Sequence, residues 1–121
     1  MRYSKEHVWV RESEGLLRIG LSDYAQKELG ELTFIEFPEL GVHVNATDVL
    51  CSIDSLKAAS DVYAPVSGTV TEVNTALVDS GASVVNDDPL GEGWLLVLNP
   101  DDISDLEQLL TDDAYREYTE G

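Results

Sequence analysis

Short runs of apolar and β-branched residues, broken by clusters of Gly, Pro, Asp and Ser, dominate the chain as far as Leu98. That pattern predicts strands joined by turns. His7-Val8-Trp9-Val10-Arg11 and Leu16-Leu17-Arg18-Ile19-Gly20 bracket Glu12-Ser13-Glu14-Gly15, which predicts a hairpin. Ser22 or Asp23 then caps a short helix that Gly30 ends, with Tyr24, Ala25, Glu28 and Leu29 at the i, i+4 spacing. Strands follow around Leu32 to Phe37, closed by Pro38 and Gly41, and again over Val49–Ile53 and Gly68–Val73. Gly91-Glu92-Gly93 turns into a last apolar strand, Trp94–Leu98.

The tail changes period. Asn99-Pro100-Asp101-Asp102 is a helix-start signal, and Ile103, Leu106, Leu109 and Leu110 predict one apolar helix face. Asp112-Asp113 predicts a second short helix through Ala114, Tyr115 and Tyr118. The expectation is one mainly β domain over residues 1–121. It divides into an N-terminal hairpin and helix (1–31), a β core with a hairpin bearing Lys57 (32–98) and C-terminal helices (99–121). Gly41–Leu50 also aligns without gaps to Gly81–Leu90, with Gly, Val, Asp and Leu at shared offsets. A duplicated turn-strand unit of this kind predicts a β-sandwich built from two related halves.

Composition narrows the activity. At 121 residues and 43% apolar content the chain fits a single modest core. The formal net charge is −17, from 24 acids against 7 bases. Phosphate repulsion excludes nucleic acid binding as a main activity, and anionic membrane surfaces are disfavoured likewise. The acid excess serves solubility alone, or it steers the protein toward basic patches on larger partners. Met1–Glu6 has no apolar signal segment, and no run approaches the roughly 18 apolar residues of a membrane span. Cys51 is the single cysteine and is expected as a buried thiol, in keeping with a monomer in a reducing cytoplasm.

Catalytic groups are sparse. The only imidazoles are His7 and His43, and with one cysteine they make no metal-ligand spacing. Gly91-Glu92-Gly93-Trp94 lacks the length and the lysine of a phosphate loop. Asp87-Asp88 and Asp101-Asp102 read as turn and cap residues rather than acid–base pairs. An enzyme with its own active site is not expected.

Lys57 is one of only three lysines, and it stands among small and acidic neighbours between two predicted strands. An amine displayed on such a turn is accessible for acylation by another enzyme. The segment Asp54-Ser55-Leu56-Lys57-Ala58-Ala59-Ser60-Asp61-Val62-Tyr63-Ala64-Pro65-Val66-Ser67-Gly68 resembles the lipoyl-attachment site of the glycine cleavage system H protein family, E-S-V-K-A-x-S-D-x-x-(A/S)-P-x-S-G. Tyr3–Val10 is similar to that family's Y-x-x-x-H-x-W-V. Gly20–Gly30 resembles G-(I/L)-T-D-(Y/H)-A-Q-x-x-L-G, Phe34–Gly41 resembles F-V-E-L-P-x-x-G, and Gly91–Leu95 resembles G-x-G-W-(L/M). Order and spacing hold across nearly the whole chain.

The resemblance implies a lipoyl/biotinyl-carrier-type β-sandwich, or flattened barrel, with lipoate joined covalently to Lys57. It further implies Asp54, Ser55, Ala58 and Asp61 as the residues by which a lipoate ligase or lipoyltransferase recognises the hairpin. In that family the carrier collects an aminomethyl group from glycine decarboxylase (P protein) and delivers it to the aminomethyltransferase (T protein). Dihydrolipoyl dehydrogenase (L protein) reoxidises it. Biotin carriers read A-M-K-M, which Leu56 and Ala58 do not match, and lipoyl domains of 2-oxo acid dehydrogenases read D-K-A.

Two positions depart from the family. Asp54 stands where glutamate is usual, keeping the charge and shortening the reach. Val8 stands where an acidic residue usually follows the histidine, a carboxylate implied to help hold the aminomethyl cargo in a cleft. Losing that ion-pair partner would cost about 1–3 kcal/mol at a partly buried site. Val8 therefore motivates an alternative, a lipoylated H-like protein in lipoate storage or relay, without full glycine cleavage activity. A non-lipoylated acidic interaction domain on the same fold is the third reading.

Overall fold

In the computed structural model, which describes residues 1–79 and 81–120, antiparallel strands form two sheets. The larger runs in the order β1 (Arg2–Tyr3), β2 (Val8–Ser13), β3 (Leu16–Leu21), then, later in the chain, Leu96–Pro100, Gly68–Val73 and His43–Val44. In chain order these last three are β9, β8 and β5. The smaller sheet pairs β4 (Leu32–Glu36), β6 (Val49–Ser55) and β7 (Ala59–Tyr63). No helix among the described residues is long and apolar enough to cross a membrane.

Alternation along each strand sends one face into a shared core. Val8, Val10, Leu17, Ile19, Leu96, Leu98 and Val70 from the larger sheet meet Leu32, Ile35, Cys51, Ile53 and Val62 from the smaller. Burial pushes the Cys51 thiol up to about 12, with Asp61 adding to the shift, so it is inert as expected. The opposite face of β2 and β3 is covered too. Trp9 is buried there with Tyr3 and Tyr115, and its Nε1–H donates to the Pro89 carbonyl at 2.8 Å. Its indole lies over Gly20, where an added Cβ would come within 2.7 Å of the ring. Only glycine fits that approach.

The first hairpin forms, but its strands run closer to the tip than expected. Ser13 pairs with Leu16, and Glu14 and Gly15 alone make the turn, both at positive φ (54° and 82°). Helix α1 (Asp23–Leu29) follows the sequence reading, with Ser22 as its cap, accepting from the Ala25 N–H at 3.1 Å. Gly30 ends it at φ 78°.

Three expectations need correction. Gly81–Leu90 is not a second turn-strand unit, because Ser83–Asp87 is helix α3 (after the short α2, Ala76–Asp79), whereas His43–Val44 is a strand. Val44 reaches a partner strand at Gly68, while the second segment packs on α1 and β4 through its helix. Similar sequences thus took the structure that their neighbours allowed. Asn99-Pro100 does not open a helix; both residues stay paired to β8. The helix after them is a 3₁₀ turn, Ile103–Gln108, capped by Asp102 through the Ser104 N–H. Its apolar side is split, since Leu106 and Leu109 pack on the main core while Leu110 bridges to Tyr3. The last helix, α4 (Asp112–Glu120), does start at Asp112-Asp113, as the sequence predicts, and Thr111 Oγ1 caps it by accepting from the Ala114 N–H at 3.2 Å.

Candidate functional site

Lys57 sits at the tip of the β6-β7 hairpin, exposed, as the sequence predicts. Asp54 and Ala59 make the last strand pair, and Ser55 then closes the turn. Ser55 N–H donates to the Ala58 carbonyl at 2.8 Å, and the Ala58 N–H donates to Ser55 Oγ at 3.1 Å. Ser55 and Ala58 therefore shape the tip. Asp54 and Asp61 are exposed on strands beside it, and Asp61 accepts a hydrogen bond from the Ser52 hydroxyl at 3.2 Å.

The tip is tied down. Leu56 N–H donates to the Glu31 carbonyl at 3.1 Å, joining the hairpin to the link between α1 and β4. The lysine stem runs over Gly30, whose missing Cβ would lie 3.5 Å from Lys57 Cε. Asn86 on α3 locks that same link. Its amide donates to the Gly30 carbonyl (2.8 Å) and Gln26 Oε1 (3.0 Å), and its oxygen accepts from the Leu32 N–H (2.9 Å). A side chain fifty-four residues from Leu32 in sequence thus sets the floor on which the lysine rests.

A cleft of about 320 Å³ opens beside the hairpin, between α1 and the free edge of β7. Its walls carry Leu21, Tyr24, Ala25, Glu28 and Leu29 on one side and Ile53, Ser60, Asp61 and Val62 on the other, with Glu6 and His7 at the end. Three carboxylates line it and no lysine or arginine does. His7 is held at positive φ (68°) by hydrogen bonds from its N–H to Ser4 O and from Ser22 N–H to its own carbonyl. That turn aims the ring into the cleft. His7 Nδ1 and Tyr115 Oη share a hydrogen bond of 2.8 Å, and Tyr115 Oη and Ser22 Oγ share another of 2.7 Å. Burial lowers the His7 pKa, while Glu6 and Glu28 pull it back up.

Val8 is not on this lining. Its side chain is 0% exposed, inside the core between the sheets. Glu6, two residues earlier, is the acid that this stretch presents to the cleft. Glu6, Glu28, His7 and Asn86 escaped sequence reasoning. Tyr24 and Glu28 did share a helix face in the sequence, but their meeting with β7 depends on tertiary packing.

The whole chain, residues 1–121, matches the family profile described as Glycine cleavage H-protein. It is 48% identical over 118 residues to the glycine cleavage system H protein of Alkalilimnicola ehrlichii, covering 97% of this chain and 90% of that one. It is 45% identical over 120 residues to the same-named protein of Bacillus velezensis, covering 99% and 94%. Its fold is similar to the crystal structure of a glycine cleavage system H protein from Mycobacterium marinum, with a TM-score of 0.88 and 34% identity over 98% of this chain and 95% of that one.

Proposed function

Because the chain belongs to the glycine cleavage H-protein family, we propose that Lys57 is its lipoyl attachment residue and that it shuttles an aminomethyl group between enzymes. The donor is glycine decarboxylase and the acceptor is the aminomethyltransferase, and dihydrolipoyl dehydrogenase restores the oxidised carrier. The observation that supports this best is the exposed lysine on a tied-down hairpin, one strand of which borders a cleft lined with acids. In this reading the protein is a cytoplasmic monomeric carrier, and its partners make and break the cargo's bonds.

Joined to Nζ as an amide, lipoate supplies a disulfide on a long flexible arm. The chain's own residues do the positioning. Ser55 and the Leu56–Glu31 bond hold the root of the arm still. Glu6, Glu28 and Asp61 attract a protonated amine brought into the cleft. Leu29, Ile53 and Val62 supply apolar wall that limits water around it. These carboxylates take over the part that position 8 lacks. Lipoate storage or relay rested on Val8, so no observation now favours it over glycine cleavage.

The lipoylated chain should support exchange of the glycine carboxyl with bicarbonate by glycine decarboxylase, and the unmodified chain should not. A fully lipoylated protein that supports no exchange would return it to a relay role.

Charge should speed modification. Asp54→Asn with Asp61→Asn is expected to slow lipoylation several-fold at low ionic strength, where the Debye length reaches about 30 Å. The gap should close as salt is added. Both residues are exposed, so unfolding stability should move by less than about 0.5 kcal/mol. Equal rates for the double variant and wild type at low salt would show that shape alone guides the enzyme.

A further inference from the structure

We propose that the outer face of the β4-β6-β7 sheet, with Phe34 and Leu56 as apolar anchors, is where the enzyme that acylates Lys57 docks. The proposal rests on reading Lys57 as the lipoyl attachment residue. It starts from an irregularity in β4. Leu32 pairs with Ser55 and Phe34 with Asp54, so Thr33 is an extra residue, a bulge. Thr33 Oγ1 donates to the Asp54 carbonyl at 3.2 Å. In a regular strand Leu32 and Phe34 would face the same way. Across the bulge Leu32 and Ile35 enter the core, at 2% and 6% exposure, while Phe34 stands 57% exposed.

An aromatic ring turned outward by a bulge is a placed feature rather than leftover core. Phe34, Asp54 and Ala59 form one cross-strand row on this face, and Glu36, Ser52 and Asp61 form the next. Just past the first row, at the tip, Leu56 is 73% exposed. Glu31, whose carbonyl anchors that tip, adds a fourth exposed acid near the lysine. The result is two apolar anchors within an acidic rim, the arrangement of a binding hot spot with polar surroundings.

The occupant follows from reach. Before modification the amine extends only one lysine side chain from the hairpin. An enzyme that draws Nζ into its active site must therefore close over the tip and the strands beside it. Partners that meet the long arm can stand further off. A second copy of this chain would set acid rim against acid rim, on a protein of net charge −17. The fitting surface is an apolar socket rimmed by lysine and arginine. On that enzyme the uncharged amine attacks the carbonyl carbon of a lipoyl adenylate. The amide C–N bond forms, the C–O bond to AMP breaks, and the amine proton passes to a base of the enzyme.

The test uses the unmodified full chain with a lipoate–protein ligase, lipoate and ATP. Phe34→Ser is expected to raise KM for the chain about tenfold with kcat held, and Phe34→Leu to restore most of the loss. Lys57→Arg should inhibit wild-type modification competitively, and Lys57→Arg with Phe34→Ser should inhibit about tenfold less well. Amide exchange on the Lys57→Arg chain bound to the ligase needs no change at Phe34. Slowing at β4 and the tip is expected, and slowing elsewhere with β4 unchanged would overturn the docking surface. So would a wild-type KM for Phe34→Ser at unchanged thermal stability. A wild-type chain that takes up no lipoyl group would instead sink the carrier reading itself.

Discussion

Lys57→Arg is expected to take up no lipoyl group at all, with intact mass as the readout. Acylation needs a neutral amine, and a guanidinium stays protonated and is not a nucleophile in protein conditions. The other two lysines offer no substitute. Lys27 lies on α1 with its ammonium 2.9 Å from Asp23, which pulls the Asp23 pKa down chiefly through that hydrogen bond. Lys5 lies in the turn between β1 and β2, just ahead of the first strand that the sequence predicts. There its carbonyl accepts from the Tyr118 hydroxyl at 3.3 Å. Lys27 is on no hairpin, and the β1-β2 turn that bears Lys5 lacks the Asp-Ser-Leu-Lys-Ala-Ala-Ser-Asp surroundings of Lys57. Arginine keeps the charge and the aliphatic stem over Gly30, so thermal unfolding should match wild type. A lipoyl mass increment on this variant would move the site elsewhere.

Val8→Glu is expected to lower unfolding stability by about 3–5 kcal/mol near neutral pH, rather than to improve cargo retention. The side chain at this position is fully enclosed by apolar neighbours, so the new carboxylate would lose its water and find no partner. Desolvation raises such a carboxyl's pKa in the folded state above its unfolded value of about 4.3. The folded protein then binds the proton more tightly than the unfolded chain. The penalty should be smallest below about pH 4 and grow as pH rises toward the folded-state pKa. Urea unfolding at several pH values measures both size and slope, and Val8→Gln should show the loss without the slope. A Val8→Glu protein as stable as wild type, and slower to release an aminomethyl load, would put position 8 back in the cleft.

Much was legible along the chain because it depends on near neighbours in sequence. The apolar alternation of β2, β3, β6 and β8, the Ser22 cap and the Gly30 stop are all short-range matters of side-chain period and backbone freedom. Lys57 in a turn between strands belongs with them. The strand after it was expected only at Gly68–Val73, however, and β7 (Ala59–Tyr63), which closes the hairpin, emerged from the structure. The sequence also marked Cys51 as buried and the Gly91–Gly93 segment as a turn.

Where the reading failed, distant partners decided. The Gly81–Leu90 segment shares its pattern with Gly41–Leu50, yet only the earlier one has a strand edge within reach. Asn99 and Pro100 stayed in a strand because β8 was there to pair with them. The cleft joins residues from the start of the chain, α1 and β7, and the floor under Lys57 depends on Asn86 from α3. Val8 follows the histidine in sequence and still points into the core, because His7's left-handed turn sends its ring and the neighbouring Glu6 to the cleft while β2 takes up its alternation at the next residue. Periodicity fixes which face a residue occupies within its own element. Which other element covers that face is set only when the two sheets close over their common core, where burial and hydrogen-bond pairing select one arrangement from those the local pattern allows.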